Sequence, residues 1–180
     1  MAENLNYNVS GSKCYDNLEP NCNTYDRLYN WVIAMSLPLS CNSSTCSNQI
    51  QLPHRGICPL GWHIPTNAEW DKLYRFADGS KGTESPYDSP IAGRYLKDIS
   101  RWHDNSNGTN QFGFSALPGG GGNSDGSFYA VGIGGIWWSA DDSYYYSNSA
   151  YGRIMGSNDE GAYWDFFVKS FFLSLRCVRD

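Results

Sequence analysis

Charge is scarce in this chain. Only 17% of its residues are Asp, Glu, Lys or Arg, against roughly 25% in ordinary globular proteins. The 13 basic and 18 acidic side chains give a formal net charge of -5, and no Lys/Arg run or basic stripe is present. That excludes binding driven by nucleic-acid phosphates. Long apolar runs are also missing, so no segment reads as a transmembrane span, and direct membrane insertion is not expected. The first ten residues, MAENLNYNVS, carry no apolar h-region and do not read as a signal peptide. His54, His63 and His103 stand alone in the sequence, with no HExxH pattern and no Ser/His/Asp order. Each reads as structural, and the chain is not expected to be an enzyme. The glycines from Pro118 to Gly126 lack the Lys-Ser/Thr of a phosphate-binding loop and read as a flexible loop.

What is abundant is aromatic and small polar. Aromatics make up 16% of the residues and glycine numbers 19. Tyr, Ser, Asn, Asp and Trp crowd the stretch 138–172. Tyr and Trp offer large contact area at low entropic cost, and Ser, Asn and Gly adapt their hydrogen bonds, which is the composition of a recognition surface. Tyr144, Tyr145 and Tyr146, flanked by Asp and Ser, suit an exposed loop better than a strand. A strand would turn Tyr145 away from its neighbours. Phe166, Phe167, Phe171 and Phe172 fit either a strand buried on both faces or, because Lys169-Ser170 suggests a turn, an exposed apolar patch. Asp141-Asp142 and Asp159-Glu160 read as solvated loop.

Six cysteines, an even number, point to disulfides and an oxidising compartment. Cys14–Cys22 and Cys41–Cys46 would each close a short loop, and Cys58–Cys177 would be the long staple. No CxxC spacing or nearby His supports zinc. Oxidised cysteines require an export signal upstream of these residues, or another route outside such as virion release by lysis.

At 180 residues the chain suits one domain, 1–180. Leu28, Trp31, Val32 and Met35 recur at helical spacing, with Asn23 or Thr24 as N-cap. Thr66 and Glu69 form a T-x-x-E capping box opening a helix from about Asn67 to Ala77, whose apolar face is Trp70, Leu73, Tyr74 and Ala77. Ala92–Lys97 is a short element of open type. Phe112, Phe114 and Ala116 alternate as in a short strand. Later strands are expected at Gly135–Ala140, Ala150–Met155, Tyr163–Val168 and Phe172–Arg179. Two helices ahead of a mostly antiparallel, loop-decorated β region make an α+β arrangement.

MAENLNY at the start, the Cys14/Cys22 pair, RLYNW, CPLGWHIPTNAEW at 58–70, AGRYLKD, NGTNQFGFSALPGG, WWS and SLRCVRD resemble the Fibrobacter succinogenes major paralogous domain over essentially the whole chain. In that family MAENLNY usually follows an upstream strand ending in Trp, absent here. The resemblance implies a C-type-lectin-like fold, related to that of formylglycine-generating enzymes, with Cys58 and Cys177 matching the long-range disulfide of C-type lectins. The tail from Trp137 is similar to the variable ends of lectin-like proteins diversified by retroelements in gut-type bacteria and their phages.

That second resemblance makes 137–172 a candidate variable ligand-binding region. Its candidate positions are Ser143, Tyr144, Tyr145, Tyr146, Asn148, Tyr151, Arg153, Met155, Asn158, Glu160, Tyr163, Asp165, Phe166, Phe167, Phe171 and Phe172. The implied function is an extracellular, cell-surface or virion-displayed receptor or adhesin, for example on a phage tail, that binds a protein or glycan on another surface. The alternative is a fixed cell-surface carbohydrate-binding module. No cofactor is expected. HDNSNGTN at 103–110 and NSDG at 123–126 offer oxygens to calcium, but the EPN or QPD and WND signatures of calcium-dependent sugar binding are absent.

Overall fold

The computed structural model describes all of residues 1–180. Four short helices lie in the N-terminal part: α1 (Glu19–Tyr25), α2 (Trp31–Ala34), α3 (Asn67–Asp78) and α4 (Ala92–Leu96). Nine strands accompany them. β1 (Leu28–Tyr29) and β2 (Trp62–His63) come early, and β3 (Gly119–Gly122), β4 (Phe128–Val131), β5 (Gly134–Asp142), β6 (Ser149–Gly156), β7 (Tyr163–Val168), β8 (Leu173–Ser174) and β9 (Val178–Arg179) follow. The architecture is α+β, as the sequence leads one to expect.

β5 is the spine of a seven-stranded mixed sheet. It pairs in parallel with β3 and β8 and antiparallel with β6, while β6 carries β7 on its other side. β2 and β9 form a separate antiparallel pair. The main core, with Trp31, Ile64, Trp138 and Leu175 among its members, lies on one side of the sheet. A second core, built on Trp70, Tyr74 and Trp137, packs α3 and α4 against the other. Three indoles fix the spine: Trp31 Nε1 donates to the Ser139 carbonyl at 3.0 Å, Trp138 Nε1 to the Tyr29 carbonyl at 2.7 Å, and Trp137 Nε1 to Asn4 Oδ1 at 2.8 Å. A buried indole N–H left without an acceptor would cost about 1–3 kcal/mol.

The three disulfides are Cys14–Cys22, Cys41–Cys46 and Cys58–Cys177, and all six cysteines are consumed. Cys58–Cys177 closes 119 residues of chain and joins the approach to α3 with the last strands. The capping box at Thr66 is complete, with Glu69 N–H donating to Thr66 Oγ1 and Thr66 N–H donating to Glu69 Oε2 at 2.9 Å.

Four local expectations need correction. The helix expected over Leu28–Met35 is a single turn, Trp31–Ala34, capped by Asn30, whose side chain accepts from Ile33 N–H at 2.9 Å. Leu28 and Tyr29 instead pair with Ser174 and Leu173 of β8, and the segment holding Asn23 and Thr24 is itself α1. The apolar period was real, since Leu28, Trp31, Val32 and Met35 are all buried, but sheet pairing claimed its first turn. Phe112–Ala116 is no strand, because left-handed backbone at Asn110, Gly113 and Ser115 (φ 47, 68 and 53°) breaks the extension. The glycine run contains buried strand β3. A Cβ on Gly121 would lie 2.8 Å from the Tyr129 ring, and Gly120 has φ +64 with the Tyr129 carbonyl at 2.3 Å from the same position. Only glycine lets β4 lie that close. Finally, 172–179 is two short strands separated by Leu175–Cys177.

Candidate functional site

The β5–β6 connection leaves the sheet at Asp142 and returns at Ser149. Ser143 starts its turn: its buried hydroxyl accepts from the N–H groups of Tyr145 (3.1 Å) and Tyr146 (3.0 Å). Ser143 N–H then bonds the Ser149 carbonyl, and Ser149 N–H the Tyr146 carbonyl, so the loop closes on itself. Such hydroxyl-to-backbone bonds are the usual device for fixing a short turn.

Beneath the loop lies a buried ion pair. Lys169 Nζ sits 2.7 Å from Asp142 Oδ1, with neither side chain reached by solvent to any extent. The same ammonium donates to the carbonyls of Ser147 (3.0 Å) and Ser44 (2.9 Å) and lies 4.8 Å from the Trp31 ring centre. Asp142 Oδ2 accepts from Cys46 N–H at 2.6 Å. One pair thereby ties the 143–148 loop, the Cys41–Cys46 loop and the β7–β8 turn to a common point. A buried charge pair in such close contact is costly to break by removing one partner. Asp142 is therefore an interior anchor. Its neighbour Asp141 accepts from Asn67 N–H at the start of α3, so the solvated-loop reading of this pair is corrected.

On that mount stands an aromatic face. Tyr144, Tyr145 and Tyr146 are 76, 72 and 55% exposed. Tyr145 and Tyr146 set their rings 6.0 and 5.4 Å from Phe166. Tyr144 touches Tyr145 at 5.3 Å and Tyr151 at 6.2 Å. Tyr151 lies directly across from Phe166 in the β6–β7 register, with ring centres 4.6 Å apart, and Trp164 completes the group at 5.6 Å from Tyr151 and 5.5 Å from Phe166. These separations are those of favourable offset and edge-to-face pairs. Burial, followed by the adjoining Tyr144 hydroxyl, holds the Tyr151 phenol well above its ordinary pKa, so it is neutral at physiological pH. Beside Tyr144 a cleft of about 180 Å³ is lined by Ile50, Leu52 and Asp141.

The sixteen candidate positions therefore separate. Tyr144, Tyr145, Tyr146, Asn148 and Phe166 belong to the loop and its face, and Asp165 is exposed on the edge strand, its carboxylate accepting from Phe166 N–H at 2.7 Å. Phe167 is half-buried and packs edge-on against Trp138 at 6.2 Å, and Phe171 is half-buried in the turn before β8. Tyr163 is half-buried, with its hydroxyl 3.2 Å from Asp159. Five positions are corrected to interior roles. Tyr151, only 2% exposed, is the floor on which the exposed rings stand. Ser143 braces the turn, and Met155 is in the α3 core. Phe172 packs with Tyr15 and Leu28. Arg153 is wholly buried, pairing with Asp71 at 2.9 Å and donating to Asn67 Oδ1 at 2.9 Å. Asn158 and Glu160 sit at the opposite end of the β6–β7 hairpin, about 23 Å away along β6 at the usual strand rise.

Sequence reasoning missed Trp164, Ile50 and Leu52. Trp164 shares a face with Phe166 by strand alternation, a readable signal. The other two come from a distant loop and carry none.

His63 is less isolated than it reads. Its Nδ1 lies 2.7 Å from Asp180 Oδ1 and its Nε2 2.8 Å from Glu69 Oε1. Burial works against the imidazolium, but the Asp180 and Glu69 hydrogen bonds outweigh it and raise its pKa. Both ring nitrogens are occupied in linking the C-terminus to α3. The oxygen-rich loops are likewise engaged internally: Asn107 Oδ1 accepts from Trp102 N–H at 3.0 Å, and Asp125 Oδ1 accepts from Ser127 N–H at 2.9 Å. Glu19 lies with Cys14 and Cys22 in a cluster of metal-ligand type, but those two sulfurs are joined to each other.

No curated protein and no solved structure matches this chain. The sequence model of the Fibrobacter succinogenes major domain, by contrast, matches residues 1–179, which takes in the capping-box helix, the long disulfide and the whole aromatic hairpin. The chain belongs to the Fibrobacter succinogenes major domain family.

Proposed function

We propose that this is a ligand-binding domain of receptor or adhesin type on a C-type-lectin-like scaffold, displayed outside the cell or on a virion. Its contact surface is the Tyr144–Tyr146 loop with Trp164 and Phe166, resting on buried Tyr151, and its partner is a protein or glycan on another surface. One observation carries the reading: three consecutive exposed tyrosines stand on a mount locked by a buried ion pair and a disulfide. Large exposed aromatic patches are otherwise uncommon on soluble domains, and rigid aromatic anchors lose little entropy on binding. The three disulfides support an oxidising compartment. The Cys58–Cys177 bridge, which joins the approach to α3 with the last strands, supports the lectin-like scaffold.

The exposed positions of the hairpin are also proposed to be diversified by a retroelement, because their side chains can change without disturbing the ion pair and hydrogen bonds that hold the loop. Replacing Tyr144, Tyr145 and Tyr146 together by Ala should abolish capture of ligands found on glycan and protein arrays, while the melting temperature stays nearly constant. Retained binding would rule out this face. For diversification the decisive observation is the encoding locus. A near-copy of the tail differing only where the copy has adenine, beside a reverse-transcriptase gene, is the expected result, and its absence would make the face a fixed one.

A further inference from the structure

The far end of the β6–β7 hairpin has the opposite chemistry. A pocket of about 260 Å³ opens between α4, the 103–108 loop and the 157–160 turn, and none of its lining residues is hydrophobic. At its wall is Lys97, only 2% exposed. Its ammonium donates to the carbonyls of Gly156 (2.9 Å) and Asp159 (2.8 Å) and stands 5.0 Å from the Trp102 ring centre. An ammonium has three N–H donors, so one lacks an oxygen acceptor. The hairpin's own buried cations, Arg153 and Lys169, each have a carboxylate within 3 Å, whereas no carboxylate comes within 4 Å of Lys97. Buried charges are normally paired. Burial accordingly lowers the Lys97 pKa, against the opposing pull of Asp159 and Glu160.

The frame around Lys97 is rigid. A Cβ on Gly93 would fall 2.1 Å from the Gly161 carbonyl, and one on Gly108 2.3 Å from the Lys97 carbonyl, so α4 touches both neighbouring loops backbone to backbone. Arg94 N–H donates to the Glu160 carbonyl at 2.9 Å. The Asp159 carboxylate is turned to its own loop, accepting from Gly161 N–H (2.8 Å) and the Tyr163 hydroxyl (3.2 Å). Glu160 faces Arg94 at 3.6 Å. Asn105 and Asn158 present exposed carboxamides at the rim.

We infer that this pocket binds an acidic sugar, with its carboxylate on Lys97 and its hydroxyls on the carboxamides of Asn105 and Asn158. A single carboxylate supplies the acceptor that Lys97 lacks. A doubly charged phosphate would be repelled by Asp159 and Glu160 more strongly than a single carboxylate, and a metal cation would meet Lys97 and Arg94. With no apolar wall, the rest of the ligand must be hydroxylated, and carboxamides bond hydroxyls as both donor and acceptor. The site needs no calcium and is independent of the aromatic face.

The test is titration of the labelled domain with methyl glucuronide, methyl glucoside and acetate, followed by amide NMR shifts. Saturable shifts at Asn105, Gly108 and Asn158 are expected with the glucuronide, at an affinity about tenfold or more above the glucoside, the worth of one charged hydrogen bond. The double variant N105A/N158A, at exposed positions and melting normally, should weaken glucuronide binding by about tenfold. Any of four results overturns the inference: no saturable shift up to about 20 mM glucuronide, acetate binding as tightly as glucuronide, unchanged affinity in the double variant, or shifts confined to Tyr144–Tyr151.

Discussion

The hairpin that carries the candidate face is inverted with respect to ordinary burial. Its two cations, Arg153 and Lys169, lie wholly inside, where long charged side chains are rarely found. Three of its tyrosines stand outside. The inside is paired, hydrogen-bonded and fixed in geometry by Asp71, Asn67, Asp142 and two backbone carbonyls. The outside has its backbone fixed by Ser143 and the Lys169 contacts, while its rings rest only on other rings, those of Phe166 and Tyr151. What this difference teaches is a division of labour. Directional buried bonds define where the loop is, and the exposed rings can change without loosening it. A purely apolar floor would hold the loop less specifically, since hydrophobic contact has no direction.

That division is breakable in a graded way. The largest loss should come from the joint variant C58A/C177A. In the chain-entropy account a closed loop of this size contributes about 4–5 kcal/mol, and denaturant melts should show the drop. Next is Lys169→Met, which strands Asp142 in the interior and should cost about 3–5 kcal/mol. If the melt of this variant is unchanged, the mount is not electrostatic. Ser143→Ala comes third, at about 1 kcal/mol for the lost turn bonds, with faster amide exchange expected at Tyr145 and Tyr146. Smallest is the triple tyrosine-to-alanine variant, expected within about 0.5 kcal/mol of the parent. A loss of several kcal/mol there would erase the contrast between inside and outside.

A pH series sharpens the same contrast away from the hairpin. The folded pKa of His63 is raised by its two carboxylates. Its contribution is therefore complete below the unfolded value of about 6.5 and is lost as pH rises through the folded pKa. Against burial, the bonds from Thr66 and then His63 lower the pKa of Glu69, so the Glu69 contribution fades on the acid side, as pH falls through its folded pKa. Melting temperature should decline as pH rises above about 6.5, and His63→Gln should flatten that limb. A parallel decline in the variant would remove His63 from the account.

Much of the frame was readable. The T-x-x-E box gave α3, because a capping box is a local contract among four residues. The cysteine spacings gave all three bridges. The strands expected over 135–140, 150–155 and 163–168 match β5, β6 and β7 to within two residues. The site was readable in kind, through the Tyr run and its polar flanks, but not in membership. Sixteen positions along 143–172 looked alike. Tyr151 and Arg153 share one face of β6, and only the placement of α3 over part of that face decided that Arg153 meets Asp71 and Asn67 while Tyr151 lies under the exposed rings.

The sequence by itself determined the helix start, the disulfide pairs, the family and the aromatic character of the hairpin, because each rests on neighbours in the chain or on composition. Tertiary structure alone decided that four glycines form a buried strand, that Leu28 leaves its helical period for β8, and that Asp142 meets Lys169. It also decided that Lys97 is buried without a carboxylate. These depend on groups tens of residues apart, and burial turns a routine charge or glycine into a constraint only when a particular partner arrives beside it.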